Sequence, residues 1–183
     1  MTQVNTDLQY DEAVKKSRNI FLEKTRDYGT SWRVYRTISV ADQIYIKAKR
    51  IRNIQEKGNQ KIDDDITAEF RGILNYAVIG LIQLGIDEDD REYAGEELSV
   101  EETLKFYDDK IAKAKILMQN KNHDYGEAWR EMSMESFVDL ILAKILRIKQ
   151  ITKNEGKTLM SEGIDANFYD ILNYAVFALI LSD

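Results

Sequence analysis

The chain is written twice over. Lys24-Thr-Arg-Asp27-Tyr28-Gly29-Thr-Ser-Trp32-Arg33 returns 97 residues later as Lys121-Asn-His-Asp124-Tyr125-Gly126-Glu-Ala-Trp129-Arg130. At the same offset Ser39, Asp42, Ile44, Lys47, Arg50, Ile51 and Ile54 meet Ser136, Asp139, Ile141, Lys144, Arg147, Ile148 and Ile151, which makes 13 identities in the 31 positions from Lys24 to Ile54. One residue is then inserted, and Ile73-Leu-Asn75-Tyr76-Ala-Val78 recurs unchanged as Ile171-Leu-Asn173-Tyr174-Ala-Val176 at an offset of 98. Shared helical spacing would reproduce apolar positions. It would not reproduce Asp-Tyr-Gly, Trp-Arg and Asn-Tyr at fixed separations, so the fold must be assembled from two copies of one unit.

Each copy reads as three helices. The chain has no proline, the residue that breaks helix interiors, and no segment alternates with period two for long enough to make a strand. In copy one, Thr6-x-x-Gln9 predicts a capped helix start, with the helix running to about Arg26 and Gly29 ending it in the left-handed conformation. Ser39-x-x-Asp42 opens a second helix, which Gly58 closes; the third follows Asp63-Asp64-Asp65 and ends at Gly85. In copy two, Ser99-x-x-Glu102 and Ser136-x-x-Asp139 take the starting roles, the second helix ends before Gly156, and the third starts near Ser161. The third helices are apolar nearly all round, so they belong in the centre. The expectation is an all-α fold of six helices from a duplicated three-helix unit. The second and third helices of both copies would form a central four-helix bundle with pseudo-two-fold symmetry. Residues 1–85 and 99–183 are the repeats, 86–98 an acidic linker, and the whole one compact domain.

Composition removes several function classes. The chain has no cysteine, which excludes disulfides, thiolate ligands and a cysteine nucleophile. Its net charge of −6 opposes direct binding to nucleic acid. The acidic run Asp87–Glu92, continued by Glu96, Glu97, Glu101 and Glu102, reads as a solvated linker and helix start. Met1–Asp11 is polar and acidic, without the apolar core of a signal peptide. The longest apolar stretches, Ile73–Leu84 and Ile171–Leu181, are too short to span a bilayer. A cytoplasmic protein without membrane attachment is expected, and a homodimer is open to it.

The repeated polar residues are the candidates for chemistry. In Lys-x-x-Asp-Tyr-Gly-x-x-Trp-Arg, packing explains the glycine, tyrosine and tryptophan. It does not require Lys24, Asp27 and Arg33 to recur as Lys121, Asp124 and Arg130. The functional reading makes Tyr28, Trp32, Tyr125 and Trp129 stacking surfaces for a base, with the cations beside them for phosphate. Lys47 and Arg50, repeated as Lys144 and Arg147, share a helix side at i,i+3. They are either snorkelling cations paired to carboxylates of the third helix or a phosphate clamp. Asn75-Tyr76 and Asn173-Tyr174 lie in apolar helices, where an asparagine needs hydrogen-bond partners; a ligand is the alternative. Glu162, Asp165 and Asp170 are candidate oxygen ligands for Mg²⁺, although Asp170 also suits pairing with Lys144 or Arg147. His123 stands alone, with Arg26 in copy one, and makes a poor general base.

Asp-Tyr-Gly…Trp, then Lys-x-x-Arg-Ile, then a helix ending in Leu-Asn-Tyr-Ala, resembles the nucleotide modification associated domain family, first type. That family was first described as a domain of unknown function and occurs in bacteria and phages. The resemblance covers both copies, most fully Lys121–Leu179. It implies helical structure and a link to modified-nucleotide metabolism, without a catalytic mechanism. A weaker similarity is to the all-α nucleotide pyrophosphohydrolases, which hold Mg²⁺ on Glu-Glu-x-x-Glu and Glu-x-x-Asp. Glu162-x-x-Asp165 is present, but no second helix carries Glu-Glu-x-x-Glu.

Two functions from different classes follow. One is nucleotide or small phosphorylated ligand binding, extending to Mg²⁺-dependent attack of water on a phosphoanhydride. The other is a non-catalytic helical interaction protein. Gly72 stands where copy two has Asp170, so the sequence predicts one dominant site built mainly from copy two, with copy one as its scaffold.

Overall fold

The structure is a computed structural model describing residues 5–57, 63–86, 96–155 and 163–182, of which 63–65 by backbone alone. Six helices follow one another: α1 Thr6–Tyr28, α2 Thr37–Lys57, α3 Asp63–Gly85, α4 Val100–Tyr125, α5 Met134–Lys153 and α6 Ile164–Ser182. A short 3₁₀ turn, Ser31–Val34 or Ala128–Glu131, joins the first helix of each copy to the second. No strand occurs among the described residues.

The caps are set locally. Asn5 accepts from Leu8 N at 3.2 Å, so α1 is capped one residue before the expected Thr6. Ser99 caps α4 as the sequence indicates, accepting from Glu102 N at 3.1 Å. Ser133 caps α5, accepting from Ser136 N at 3.2 Å, three residues ahead of the predicted Ser136 start. α2 likewise begins at Thr37, ahead of Ser39. Asp42 and Asp139 are thereby freed from capping and reach across to the other copy: Lys149 pairs with Asp42 at 2.7 Å, and Arg52 approaches Asp139 at 3.7 Å. Gly29 and Gly126 end α1 and α4 at φ 71°, ψ −150° and φ 64°, ψ −160°. That is not the left-handed helical cap expected from sequence. It is the extended positive-φ region that glycine alone enters readily. Gly58, Gly156, Ser161 and the acidic run Asp87–Glu92 lie outside the described residues.

α2, α3, α6 and α5 form a closed ring of contacts, α3 against α6 and α2 against α5 joining the two copies. The apolar faces meet in one continuous core, with Phe70, Ile73, Leu74, Phe137, Phe168 and Ile171 fully buried. Each such side chain contributes about 1.5–3 kcal/mol relative to exposure. α3 and α6 approach closely because Gly80 leaves room for the Phe168 ring; a Cβ there would meet it at 2.7 Å. By length and composition α6 could cross a membrane, being longer than the Ile171–Leu181 stretch judged from sequence. In the fold 67% of that window is buried, and bundle packing accounts for its apolarity.

α1 and α4 pack on the bundle and lock the copies together crosswise. Tyr10 of copy one donates to Asn173 Oδ1 at 2.7 Å, and Tyr107 of copy two donates to Asn75 Oδ1 at 2.7 Å. Each amide donates in turn to its own first helix, Asn75 to Ser17 O and Asn173 to Ala114 O, both at 3.0 Å. The buried asparagines therefore bond the first helices of both copies rather than each other, each amide accepting from one and donating to the other. Outside the core, Arg18–Asp108 at 2.7 Å and Lys115–Asp11 at 2.8 Å repeat the exchange.

Candidate functional site

A cleft of about 480 Å³ opens between α1, the turn after it, α2 and α3, all within copy one. Its wall is built from the turn upward. Gly29 swings the chain out of α1, and the 3₁₀ turn drives Trp32 inward, where it is buried 6.3 Å from the Phe21 ring. Gln83 of α3 fastens the turn by donating to the carbonyls of Arg33 at 2.8 Å and Tyr35 at 2.9 Å. Its amide oxygen accepts from the Arg33 guanidinium. Arg33 is thereby buried in the scaffold, and burial lowers its pKa. Thr30 holds the segment before α4 by accepting from Leu98 N at 2.8 Å, while the Glu97 carboxylate lies against Gly29.

The rings of Phe21, Tyr28, Trp32, Tyr35 and Tyr76 line this cleft beside Lys24, Lys47 and Arg71. Tyr28 stands at the rim, 69% exposed. Burial raises the Tyr76 phenol, with Tyr35 adding to the effect. Lys47 lies over the Tyr76 ring at 5.9 Å and reaches Glu69 at 3.3 Å, while Arg50 binds the same carboxylate at 2.5 Å. Gly72 is what admits Lys47, since a Cβ there would come within 2.9 Å of its Cε. Arg71 Nε is buried without a hydrogen-bond partner among the described residues. Among the described residues no carboxylate lines the cleft.

The same positions in copy two are closed by the chain itself. Lys121 and Lys144 grip the Asp170 carboxylate at 2.6 and 2.9 Å. Trp129 is covered on one face by Phe177, stacked at 4.2 Å and 7°, and is capped by the Arg130 guanidinium at 4.4 Å. Its indole donates to Asn122 at 3.2 Å. Arg130 is fixed by Thr6 at 2.9 Å, Gln9 at 2.7 Å and Glu127 at 3.2 Å. Burial works to raise the Glu127 carboxyl, but the Thr6 hydroxyl and Arg130 outweigh it and hold the group below its ordinary range. Tyr174 is raised by burial, then by Asp170. Tyr125 is 79% exposed, and Asp124 meets only His123, at 3.2 Å. Arg147 donates to Gln150 at 3.4 Å. Asp27, like Asp124, is exposed.

The structure therefore splits the candidates expected to act together. Trp32, Tyr28, Lys24, Lys47, Asn75 and Tyr76 share one cleft, while Arg33 braces its wall and Arg50 points to Glu69. The tyrosines of the two Asp-Tyr-Gly segments are not core anchors; only the tryptophans are buried. The described cleft is in copy one, the reverse of the asymmetry read from sequence. Of the metal candidates, Glu162 lies outside the described residues. Asp165 and Asp170, five residues apart on α6, point about 140° apart at roughly 100° per residue. Asp165 borders a separate groove with Lys110, Lys113 and Tyr169, and among the described residues no three acids or histidines converge. Arg71, Tyr35 and Gln83 have no repeated partner of the same kind, Tyr169, Met132 and Leu181 standing in their places. Repetition therefore could not mark them, although an arginine within an apolar helix was a signal in itself.

No curated protein and no solved structure gives a significant match to the chain. One family model does match, twice, over residues 24–84 and 121–181, about two-thirds of the chain. Both segments start within a first helix and run to the end of a third, so they take in the turn, the lysines and the Asn-Tyr helices described above. The chain belongs to the nucleotide modification associated domain 1 family.

Proposed function

We propose that the copy-one cleft binds a nucleotide: a planar base on its aromatic wall and phosphate on its cations. The observation that carries this is the wall itself, five aromatic rings beside Lys24, Lys47 and Arg71, with no carboxylate among the described lining residues. In a chain of net charge −6, three cations on one concave wall favour an anionic ligand, with Glu69 and Glu97 at its edge. Aromatic faces take any base by stacking, worth about 1–3 kcal/mol per base. The volume of about 480 Å³ falls in the small-molecule range of about 300–1,000 Å³. Membership of a family described by nucleotide modification agrees with this chemistry. The reading is of a cytoplasmic protein acting on a free small molecule. For copy two the Asp170–lysine cluster supports the other reading, a packed structural unit.

A thermal-shift screen tests the proposal, because a ligand of the native state raises apparent stability. Nucleosides, their mono-, di- and triphosphates and inorganic phosphate would be compared at millimolar concentration, with and without Mg²⁺. Phosphorylated nucleotides should raise the Tm above any effect of the nucleoside, and Lys24→Ala or Arg71→Ala should remove the gain. A shift that requires Mg²⁺ would bring the expected metal in with the phosphates. No shift with any nucleotide in either condition overturns the reading.

A further inference from the structure

Among the positions at which the two copies differ along the cleft, two belong together. At the repeat offset Gly72 corresponds to Asp170 and Ile79 to Phe177. In copy two the Asp170 carboxylate lies between the ammonium groups of Lys121 and Lys144, at 2.6 and 2.9 Å. The Phe177 ring lies flat on Trp129, 4.2 Å away. The counterparts of these partners, Lys24, Lys47 and Trp32, all line the open cleft of copy one, together with Gly72 and Ile79. Copy two thus places its own anion against the lysine pair and its own ring against the indole. Copy one offers the same lysines and indole with no acid at position 72 and no ring at position 79, Lys47 turning instead to Glu69 of α3. Lys47 folds over Gly72 into part of the volume a side chain would take. Its contact with Glu69, 3.3 Å, is longer than that of Lys144 with Asp170, 2.9 Å.

We infer that Asp170 and Phe177 are built-in surrogates of a ligand, filling in copy two the anion and ring subsites that copy one presents to a small molecule. The inference rests on the nucleotide reading of the cleft and sharpens it. Phosphate belongs between Lys24 and Lys47 over Gly72, and the base belongs against Trp32 at Ile79. These positions are seven residues apart on α3, about 10 Å at roughly 1.5 Å per residue. A ligand must therefore separate its ring from its terminal anion by about that distance, which favours a nucleoside carrying a short phosphate chain over a simple aromatic acid. It also predicts the count: among the described residues, one open site of this kind, in copy one.

Titration calorimetry and thermal unfolding of the full chain test this with three variants. Gly72→Asp restores the carboxylate of copy two, at a position where the three atoms nearest a Cβ all belong to the flexible end of Lys47. Gly72→Asn controls for the gain of a side chain in a helix. Asp170→Gly with Phe177→Ile gives copy two the residues of copy one at these two positions. The probes are nucleoside mono- and diphosphates, benzoate as a simple aromatic acid, and inorganic phosphate. The wild type should bind one equivalent, the diphosphate more tightly than the monophosphate and benzoate least. Gly72→Asp should weaken binding at least tenfold and melt above Gly72→Asn. The double variant should bind a second equivalent. A folded double variant that still binds one equivalent overturns the inference while leaving the nucleotide reading intact, as does full affinity in Gly72→Asp. If the double variant does not fold, Gly72→Asp against Gly72→Asn decides. If no nucleotide binds the wild type, the nucleotide reading fails by itself. The surrogate relation is then upheld by a higher Tm for Gly72→Asp than Gly72→Asn together with loss of stabilisation by phosphate, and overturned if either is missing.

Discussion

Removing one hydroxyl group from the crosswise lock should cost far more than its size suggests. Tyr107 is fully buried, and its hydroxyl donates to Asn75 Oδ1 at 2.7 Å. Tyr107→Phe keeps the ring against Phe21, 4.7 Å away, but strands the Asn75 oxygen in a core position only 8% exposed. An orphaned buried acceptor costs about 1–3 kcal/mol, against about 1 kcal/mol for an ordinary hydrogen bond exchanged with water. With a central value of about 2 kcal/mol, and about 2–4 °C per kcal/mol for a chain of this size, the Tm should fall by about 4–8 °C. Tyr10→Phe should fall by a similar amount, because Tyr10 is equally buried and makes the same 2.7 Å bond to Asn173. Urea unfolding followed by far-UV circular dichroism measures both, with an unchanged slope confirming that stability rather than compactness has moved. Asn75→Ala supplies the third corner of a double-mutant cycle with Tyr107→Phe, and a coupling of about 1 kcal/mol or more is expected. Losses under about 0.5 kcal/mol in both tyrosine variants, or no coupling, would refute the claim that these bonds hold the two copies together.

Two further outcomes follow from the same geometry. Asp170→Asn removes the charge gripped by Lys121 and Lys144, whose side chains are 57% and 31% exposed; solvent screening limits the loss to about 1–2 kcal/mol. Nucleotide affinity should stay within about twofold of wild type, since the cleft is in copy one, and a binding titration that shows abolished affinity would contradict this. In an alkaline ultraviolet titration, Tyr10 and Tyr107, among the ten tyrosines of the chain, should ionise only on unfolding, because burial raises both phenols well above the ordinary value of 10. Folded phenols that keep their protons contribute stability present below pH about 10 and lost as pH rises beyond it, as the unfolded chain releases its own. Full ionisation of all ten in a folded sample would contradict their burial.

Much of the architecture could be read from the sequence because helices announce themselves through periodicity. The repeat offset, the four central helices and the apolar character of α3 and α6 all follow from spacing. Helix starts were less legible: Thr6, Ser39 and Ser136 satisfy cap patterns, but Asn5, Thr37 and Ser133 are where the chain turns or is capped. Two overlapping signals compete within three residues, and tertiary pairing of Asp42 with Lys149 settles one of them. The Tyr10–Asn173 and Tyr107–Asn75 bonds were illegible because no local pattern names a partner in the other copy. The cleft was not legible from the repeat. Repetition draws attention to residues that are present, and Gly72 registers as a lost acid. In three dimensions the missing side chain makes room for Lys47, while Asp170 is held by Lys121 and Lys144 and Phe177 stacks on Trp129.

The chain has two tryptophans, Trp32 and Trp129, which makes fluorescence the most direct measurement. Trp129→Phe leaves Trp32 as the reporter in the cleft, and Trp32→Phe leaves Trp129 covered by Phe177 and Arg130. Titration with a nucleoside diphosphate that stabilises the wild type should quench Trp32 saturably, at the concentration range of the thermal shift, and leave Trp129 unchanged. Unaltered Trp32 emission while the nucleotide is bound, or a saturable change in Trp129, would place the ligand elsewhere and contradict a base-binding cleft in copy one.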